Sequence, residues 1–182
     1  VSSWIEYEFA TQRLLYEAGA DVPQPLGQIG NALLMDFVGD GEEPAARLNE
    51  VDLAAEEAQP LFDQLMRNVE LALAHDRIHG DLSAYNVLMA AGGPTIIDMP
   101  QVVEVAGNNN ARQILRRDLR NLTEHLAGLA TEPQIRSTYR ALARATVDLA
   151  RQRGRLRAAD AESVLAVLQE TDDEDQPGEA QS

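Results

Sequence analysis

The segment between residues 79 and 98 restricts the fold more than any other. His79-Gly80-Asp81-Leu82-Ser83-Ala84-Tyr85-Asn86 leads into two short apolar runs, 86–89 and 95–97, and then to Asp98. Ala91-Gly92-Gly93-Pro94 separates the runs, so they read as two strands of a hairpin. Pairing them brings Asn86 and Asp98 together, although they stand twelve positions apart. Upstream, Leu61, Leu65, Val69 and Leu73 recur every four residues with Phe62 and Met66 beside them. That spacing predicts a long amphipathic helix, with Pro60 at its first turn or at a kink. The chain must therefore let a helix, a polar loop and a tight hairpin meet at one place.

The other elements follow from periodicity and punctuation. Ile5, Phe9, Leu14, Leu15 and Ala18 predict a helix over 4–18, closed by Gly19. Val22-Pro23-Gln24-Pro25 forces an extended or turning segment, because each proline biases its predecessor away from the helical region. Residues 32–38, Ala-Leu-Leu-Met-Asp-Phe-Val, read as a buried strand, and 39–44 as a loop. Leu115, Leu119, Leu122 and Leu126 predict a helix over 112–126, followed by helices over 133–152 and 160–168. The acidic residues 171–182 read as a disordered tail.

Composition narrows the function classes. At 45% hydrophobic and 25% charged, 182 residues can bury a real core. There is no cysteine, which removes disulfides, thiol nucleophiles and Cys-ligated zinc, and leads us to expect a cytoplasmic protein. No apolar run approaches the roughly 20 residues of a membrane span. The net charge of −15 is uneven: residues 1–111 hold 18 acids and 4 Arg, whereas 112–157 hold 11 Arg and 4 acids. All 15 basic residues are arginine, and lysine is absent.

Asp-x-x-x-x-Asn, a short hairpin and then Asp is the spacing phosphoryl transfer uses. One carboxylate orients the attacking hydroxyl, while an amide oxygen and a second carboxylate hold Mg²⁺ against the phosphates. A single Asp or Asn at a strand end is usually turn chemistry. Three at this spacing, behind an amphipathic helix, point to a site.

His-Gly-Asp-Leu-Ser-x-Tyr-Asn resembles the catalytic loop of RIO-type atypical serine/threonine protein kinases, and Ile96-Ile97-Asp98-Met99-x-Gln101 resembles their metal loop. Ser83 stands two places after the aspartate, where typical protein kinases have lysine. Trp4 with Glu8-Phe9, Leu33 to Gly39, and Arg117-Asp118-Leu119-Arg120-Asn121-Leu122 agree with the family as well. The resemblance covers about residues 4–126. It implies an α+β, protein-kinase-like fold: a partial N-lobe over 1–38, a mostly helical C-lobe over 39–170, and the tail. It implies Asp81 as the catalytic aspartate, with Asn86 and Asp98 as magnesium ligands. Met35, Asp36 and Val38 then belong to the adenine hinge, Glu8 to the C-helix, and Ser83 to the ATP-binding loop. ATP and Mg²⁺ are the implied cofactors, an unidentified protein the implied substrate, and Asp98 a possible phosphate acceptor during ATP hydrolysis. Archaeal and eukaryotic relatives act in small-ribosomal-subunit maturation, which leaves contact with the ribosome or RNA open.

The sequence also departs from the family. Ala84 replaces an acidic residue of the catalytic loop, Pro100 stands where Gly or Ser is common, and Ala46 where a proline is frequent. The glycine-rich loop and the lysine that pairs with Glu8 should precede it, yet only seven residues do. The start at Val1, with a helical pattern almost at once, leads us to expect a chain that begins in mid-protein, inactive in isolation.

Competing assignments stay open at this point. Small-molecule kinases of the aminoglycoside or choline type share His-Gly-Asp with a following Asn and Asp, although Ser83-x-Tyr85-Asn86 and Gln101 favour RIO. A non-catalytic interaction module retaining these residues is the alternative outside enzymes. His75 and His79 stand four apart, as in zinc hydrolases, and residues 112–157 could form a basic nucleic-acid patch.

Overall fold

A computed structural model of the protein describes residues 4–126 and, beyond them, positions 137, 138, 141, 144, 145, 148 and 152, which are helical. The expected helices over 133–152 and 160–168 and the tail over 171–182 otherwise lie outside the described residues. The architecture is α+β.

Helix α1 (Trp4–Glu17) is followed by the antiparallel pair β1 (Pro25–Ile29) and β2 (Ala32–Met35). Gly19, at φ 88°, ends α1: its N–H reaches Tyr16 O, and Ala20 N–H reaches Leu15 O at 3.0 Å. This double bond across a left-handed glycine is the Schellman closure.

Two small strands, β3 (Gly39–Asp40) and β4 (Glu43–Pro44), form a ribbon where a plain loop was expected. Strand β5 (Ala46–Arg47) precedes helix α2 (Ala55–Ala74). Glu57 reaches back to Ala54 N–H at 3.0 Å, capping the start of α2. Pro60 is the sixth residue of α2, just past the first turn, where it withholds one N–H from the Glu56 carbonyl.

Strands β7 (Val87–Ala90) and β8 (Gly93–Ile96) make the expected hairpin, with Val87 opposite Ile96 and β5 added on the β7 edge. Short strands β6 (Arg77–Ile78) and β9 (Val103–Glu104) pair on either side of it in sequence, and α3 (Ala111–His125) follows.

The core is the α2 stripe packed against the hairpin and α3. Leu61, Phe62, Leu65, Met66, Val69 and Leu73 are buried, as are Leu115, Leu119, Leu122 and Leu126. Both expected stripes are realised. At roughly 2 kcal/mol per buried large apolar side chain, they dominate the stabilisation.

The first helix and strand behave differently. Among the apolar positions of α1 only Leu15 is buried; Thr11 and Gln12 are buried beside it. The strand expected over 32–38 stops at Met35 and is not buried: Leu34 is 58% and Phe37 61% exposed. Only one of its faces is covered, by α1: Leu33 and Met35 are half-buried, whereas Ala32 and Leu34 are exposed. Among those residues no helix is long and apolar enough to cross a membrane.

Candidate active site

The loop from β6 to β7 is held from below by α3. Gly80 has φ 83°, and a Cβ there would lie 2.3 Å from the Gln101 carbonyl oxygen, so only glycine fits. Its N–H donates to Asp118 Oδ2 at 2.8 Å, and its carbonyl accepts from the Arg117 guanidinium. Asp118 is 1% exposed. Burial pushes its carboxyl up to about 6, against the pull of the Gly80 N–H, Arg117 and the Leu82 N–H; Asp81 adds a smaller upward push.

Asp81 leaves this loop exposed to solvent, and a single turn of 3₁₀ helix (Ala84–Asn86) follows Ser83. The Asn86 N–H bonds Ser83 O at 3.0 Å, which tightens that turn. Asn86 is buried, and its amide Nδ2 donates to Asp81 O at 2.8 Å and to Asp81 Oδ2 at 3.3 Å. With the nitrogen committed to Asp81, the amide oxygen is the atom left to serve as a donor to a cation.

The hairpin brings the second carboxylate. Ile97 N–H bonds Asn86 O at 2.9 Å, extending the β7–β8 ladder by one pair and setting Asp98 immediately beyond Asn86. Asp98 is exposed and sits at φ 66°, a left-handed backbone that Asp tolerates better than most side chains. The turn re-aims the chain at the end of β8.

His79 joins the two loops. Its Nδ1 accepts the Asp81 N–H at 3.3 Å, so Nε2 carries the proton it donates to Ile97 O at 3.0 Å. Desolvation holds its pKa below the ordinary histidine value; the Ile97 carbonyl, Asp81 and Asp98 only partly offset this. A neutral ring in this tautomer ties Asp81 to the residue before Asp98.

Glu8 of α1 reaches the same region. Burial raises its pKa, and the charge of Asp98 raises it further, while the Met99 N–H lowers it. Glu8 is thus within electrostatic reach of Asp98, and Asn86 binds Asp81, while among the described residues no three acidic or histidine side chains stand close enough together to hold a metal ion. Met35 ends β2, and Asp36 and Val38 follow it. Gln12 Nε2 meets Met35 Sδ at 3.7 Å and Pro23 O at 2.8 Å. Asp36 N–H bonds Gln24 O at 2.9 Å, and Val38 O accepts Ala45 N–H at 3.0 Å. Ser83 is half-buried at the head of the 3₁₀ turn.

By donor type, Asp81, Asn86, Asp98 and Glu8 suit a hard divalent cation. They offer carboxylate and amide oxygens with excess negative charge, and the mutual repulsion of Glu8 and Asp98 is what such a cation relieves. The zinc alternative fails on geometry. Helix α2 ends at Ala74, and Asp76 at φ 64° turns the backbone, so His75 and His79 are not one helical turn apart. His75 Nδ1 instead meets Leu71 O at 2.9 Å.

Two contributors escaped the sequence analysis. Asp118 was legible, because a carboxylate three residues after Leu115 and four before Leu122 lies on the apolar stripe of α3. The bridging role of His79 had no such signal, since it depends on where Ile97 arrives.

Known proteins share this chain. The family described as RIO domain matches residues 1–139. The RIO-type serine/threonine-protein kinase Rio1 of Haloferax volcanii is 37% identical over 123 residues, 67% of this chain and 41% of that protein. The serine/threonine-protein kinase RIO1 of Caenorhabditis elegans is 34% identical over 125 residues, 68% of this chain and 24% of that protein. The Rio1 kinase of Thermoplasma acidophilum is 28% identical over 135 residues, 73% of this chain and 69% of that protein. The chain therefore spans less than half of the Haloferax protein and about a quarter of the Caenorhabditis one.

Proposed function

This chain belongs to the RIO family, and from that membership we propose that it supplies the catalytic and metal loops of an ATP- and Mg²⁺-dependent serine/threonine phosphotransferase. The supporting observation is the meeting of loop and hairpin: Asn86 bonds Asp81 through its side chain and Ile97 through its carbonyl. The kinase names of the relatives support the reaction class.

In this proposal Asp81 orients the acceptor hydroxyl and takes up its proton. Asn86 Oδ1 and Asp98 would hold magnesium, which supplies charge neutralisation at the transferred phosphoryl group when bound. His79 keeps the two loops in register, and Asp118 with Arg117 fixes the backbone beneath Asp81. Asp36 and Val38 address the adenine through backbone groups, with Met35 behind them and Ser83 toward the phosphates. Glu8 serves the phosphate end from α1. The kinase-like division into a partial N-lobe over 1–38 and a C-lobe over 39–170 belongs to the same proposal, as does a cytoplasmic location. Positioning and electrostatics carry most of the rate in such transfer.

The test is metal-dependent ATP turnover by the whole natural protein. Asp98→Asn keeps a side chain suited to the left-handed backbone while removing the charge. Turnover should fall by at least about 10²-fold with thermal stability nearly unchanged. Turnover of Asp98→Asn close to that of the unaltered protein would discard the metal assignment.

A further inference from the structure

On the outer side of α3, away from the core, the structure contains a groove of about 540 Å³ lined by Asn110, Gln113, Ile114, Arg116, Arg117 and Arg120. The three arginines are exposed, and among the described residues no carboxylate pairs with Arg116 or Arg120. Arg117 is bonded to the carbonyl of Gly80, one residue before Asp81. Arg117 thus links the groove to the candidate catalytic loop. Residues 112–157 carry 11 Arg against 4 acids, so this face is locally positive in a chain of net charge −15.

We infer that this groove docks an acidic, extended segment of the protein substrate, on the flank of the acceptor hydroxyl. The inference rests on the phosphotransferase proposal for its location, and on the groove itself for its ligand.

Geometry selects the ligand. Arg116 and Arg120 are one turn apart, a rise of about 6 Å along α3. Alternate side chains of an extended peptide repeat at roughly 6.6 Å. Two carboxylates at alternating positions can thus meet the two guanidinium forks, each in a bidentate pair. Gln113 and Asn110 continue the line toward the N-terminus of the helix and suit the peptide backbone. Among the described residues, Ile114 gives the apolar floor. Single-stranded nucleic acid is the weaker fit: among the described residues no aromatic side chain lines the groove for base stacking.

The experiment uses the full chain without nucleotide, so that a failure of turnover does not decide it. A fluorescent peptide with alternating aspartates around one serine is titrated by anisotropy, at low salt and at about 0.15 M salt. Arg116→Glu/Arg120→Glu should weaken binding by about tenfold or more, whereas Arg116→Lys/Arg120→Lys should retain part of it. Circular dichroism checks that both variants are folded. A neutral peptide with asparagines in place of aspartates should not bind.

Three results would overturn the assignment. The first is equal peptide affinity for the folded Glu variant. The second is an oligoribonucleotide that binds the same arginines more tightly than the peptide. The third is a gain of about fivefold or more in peptide affinity on neutralising Asp172, Asp173, Glu174 and Asp175, which would give the groove to the chain's own acidic segment.

Discussion

Single residues decide how rigid the catalytic loop is. The Gly80 backbone has side-chain partners at both its N–H and its carbonyl, Asp118 and Arg117, and no room for a methyl group. Gly80→Ala should cost about 2–4 kcal/mol in denaturant unfolding, from the clash and the left-handed backbone together. Asp118 makes a pH-dependent contribution of defined sign. Its folded-state pKa, about 6, lies above the ordinary value of 3.8, so between these values the folded protein binds more protons than the unfolded chain. Its contribution is therefore most favourable below about pH 4 and is lost as pH rises to about 6, a change of roughly 2–3 kcal/mol. Asp118→Asn keeps an oxygen for the Gly80 N–H and removes the titration. Unfolding measured across that window should lose this slope in the variant, and an unchanged slope would assign it to other groups.

Elements are joined here by one polar knot as much as by apolar packing. The turn after α1 places Asp21 against α2: its N–H donates to Asn68 Oδ1 at 2.7 Å, and its carboxylate accepts from Gln64, Arg67 and Asn68. Its carbonyl accepts the Ile96 N–H at 2.8 Å, reaching β8. Asn68 is 4% exposed, so its loss strands buried partners rather than returning them to water. Asn68→Ala should cost about 2–3 kcal/mol and speed hydrogen exchange in β1 and β2 more than in α3. Uniform acceleration across all elements would show that the knot does not act locally. A second clasp works at the other end of α1, where the Arg77 guanidinium lies 5.7 Å from the Tyr7 ring and 3.8 Å from Glu104. It ties α1 to β6 and β9, the strands flanking the candidate site.

At the scale of the whole molecule, apolar surface is distributed unequally. The α2–hairpin–α3 body is closed, whereas Trp4, Leu26, Ile29, Leu34 and Phe37 are all exposed on α1 and the β1–β2 ribbon. The proposed adenine hinge lies at the end of that ribbon, and the chain has no lysine to anchor phosphates. Isothermal titration of this chain with ATP and Mg²⁺ should give a dissociation constant of roughly 0.1 mM or weaker. Low-micromolar affinity would show that the described residues already form a complete nucleotide site.

The stripes of α2 and α3 and the hairpin were legible because their signals are local: burial every four residues, and two glycines with a proline between apolar runs. The Asp81, Asn86 and Asp98 spacing was legible for the same reason, since a hairpin's register follows from its own turn. Strands β5, β6 and β9 were not, because two residues carry no period, and each exists only where a partner strand arrives. Residues 32–35 read as buried from composition alone, and only the tertiary structure decided that Leu34 faces outward, since burial is a property of the neighbour and not of the leucine. The sequence by itself determined which polar groups stand where the loop meets the hairpin. The tertiary structure decided what holds them, because His79, Gly80 and Asp118 act through partners 18 to 38 residues away, and no local rule brings such partners together.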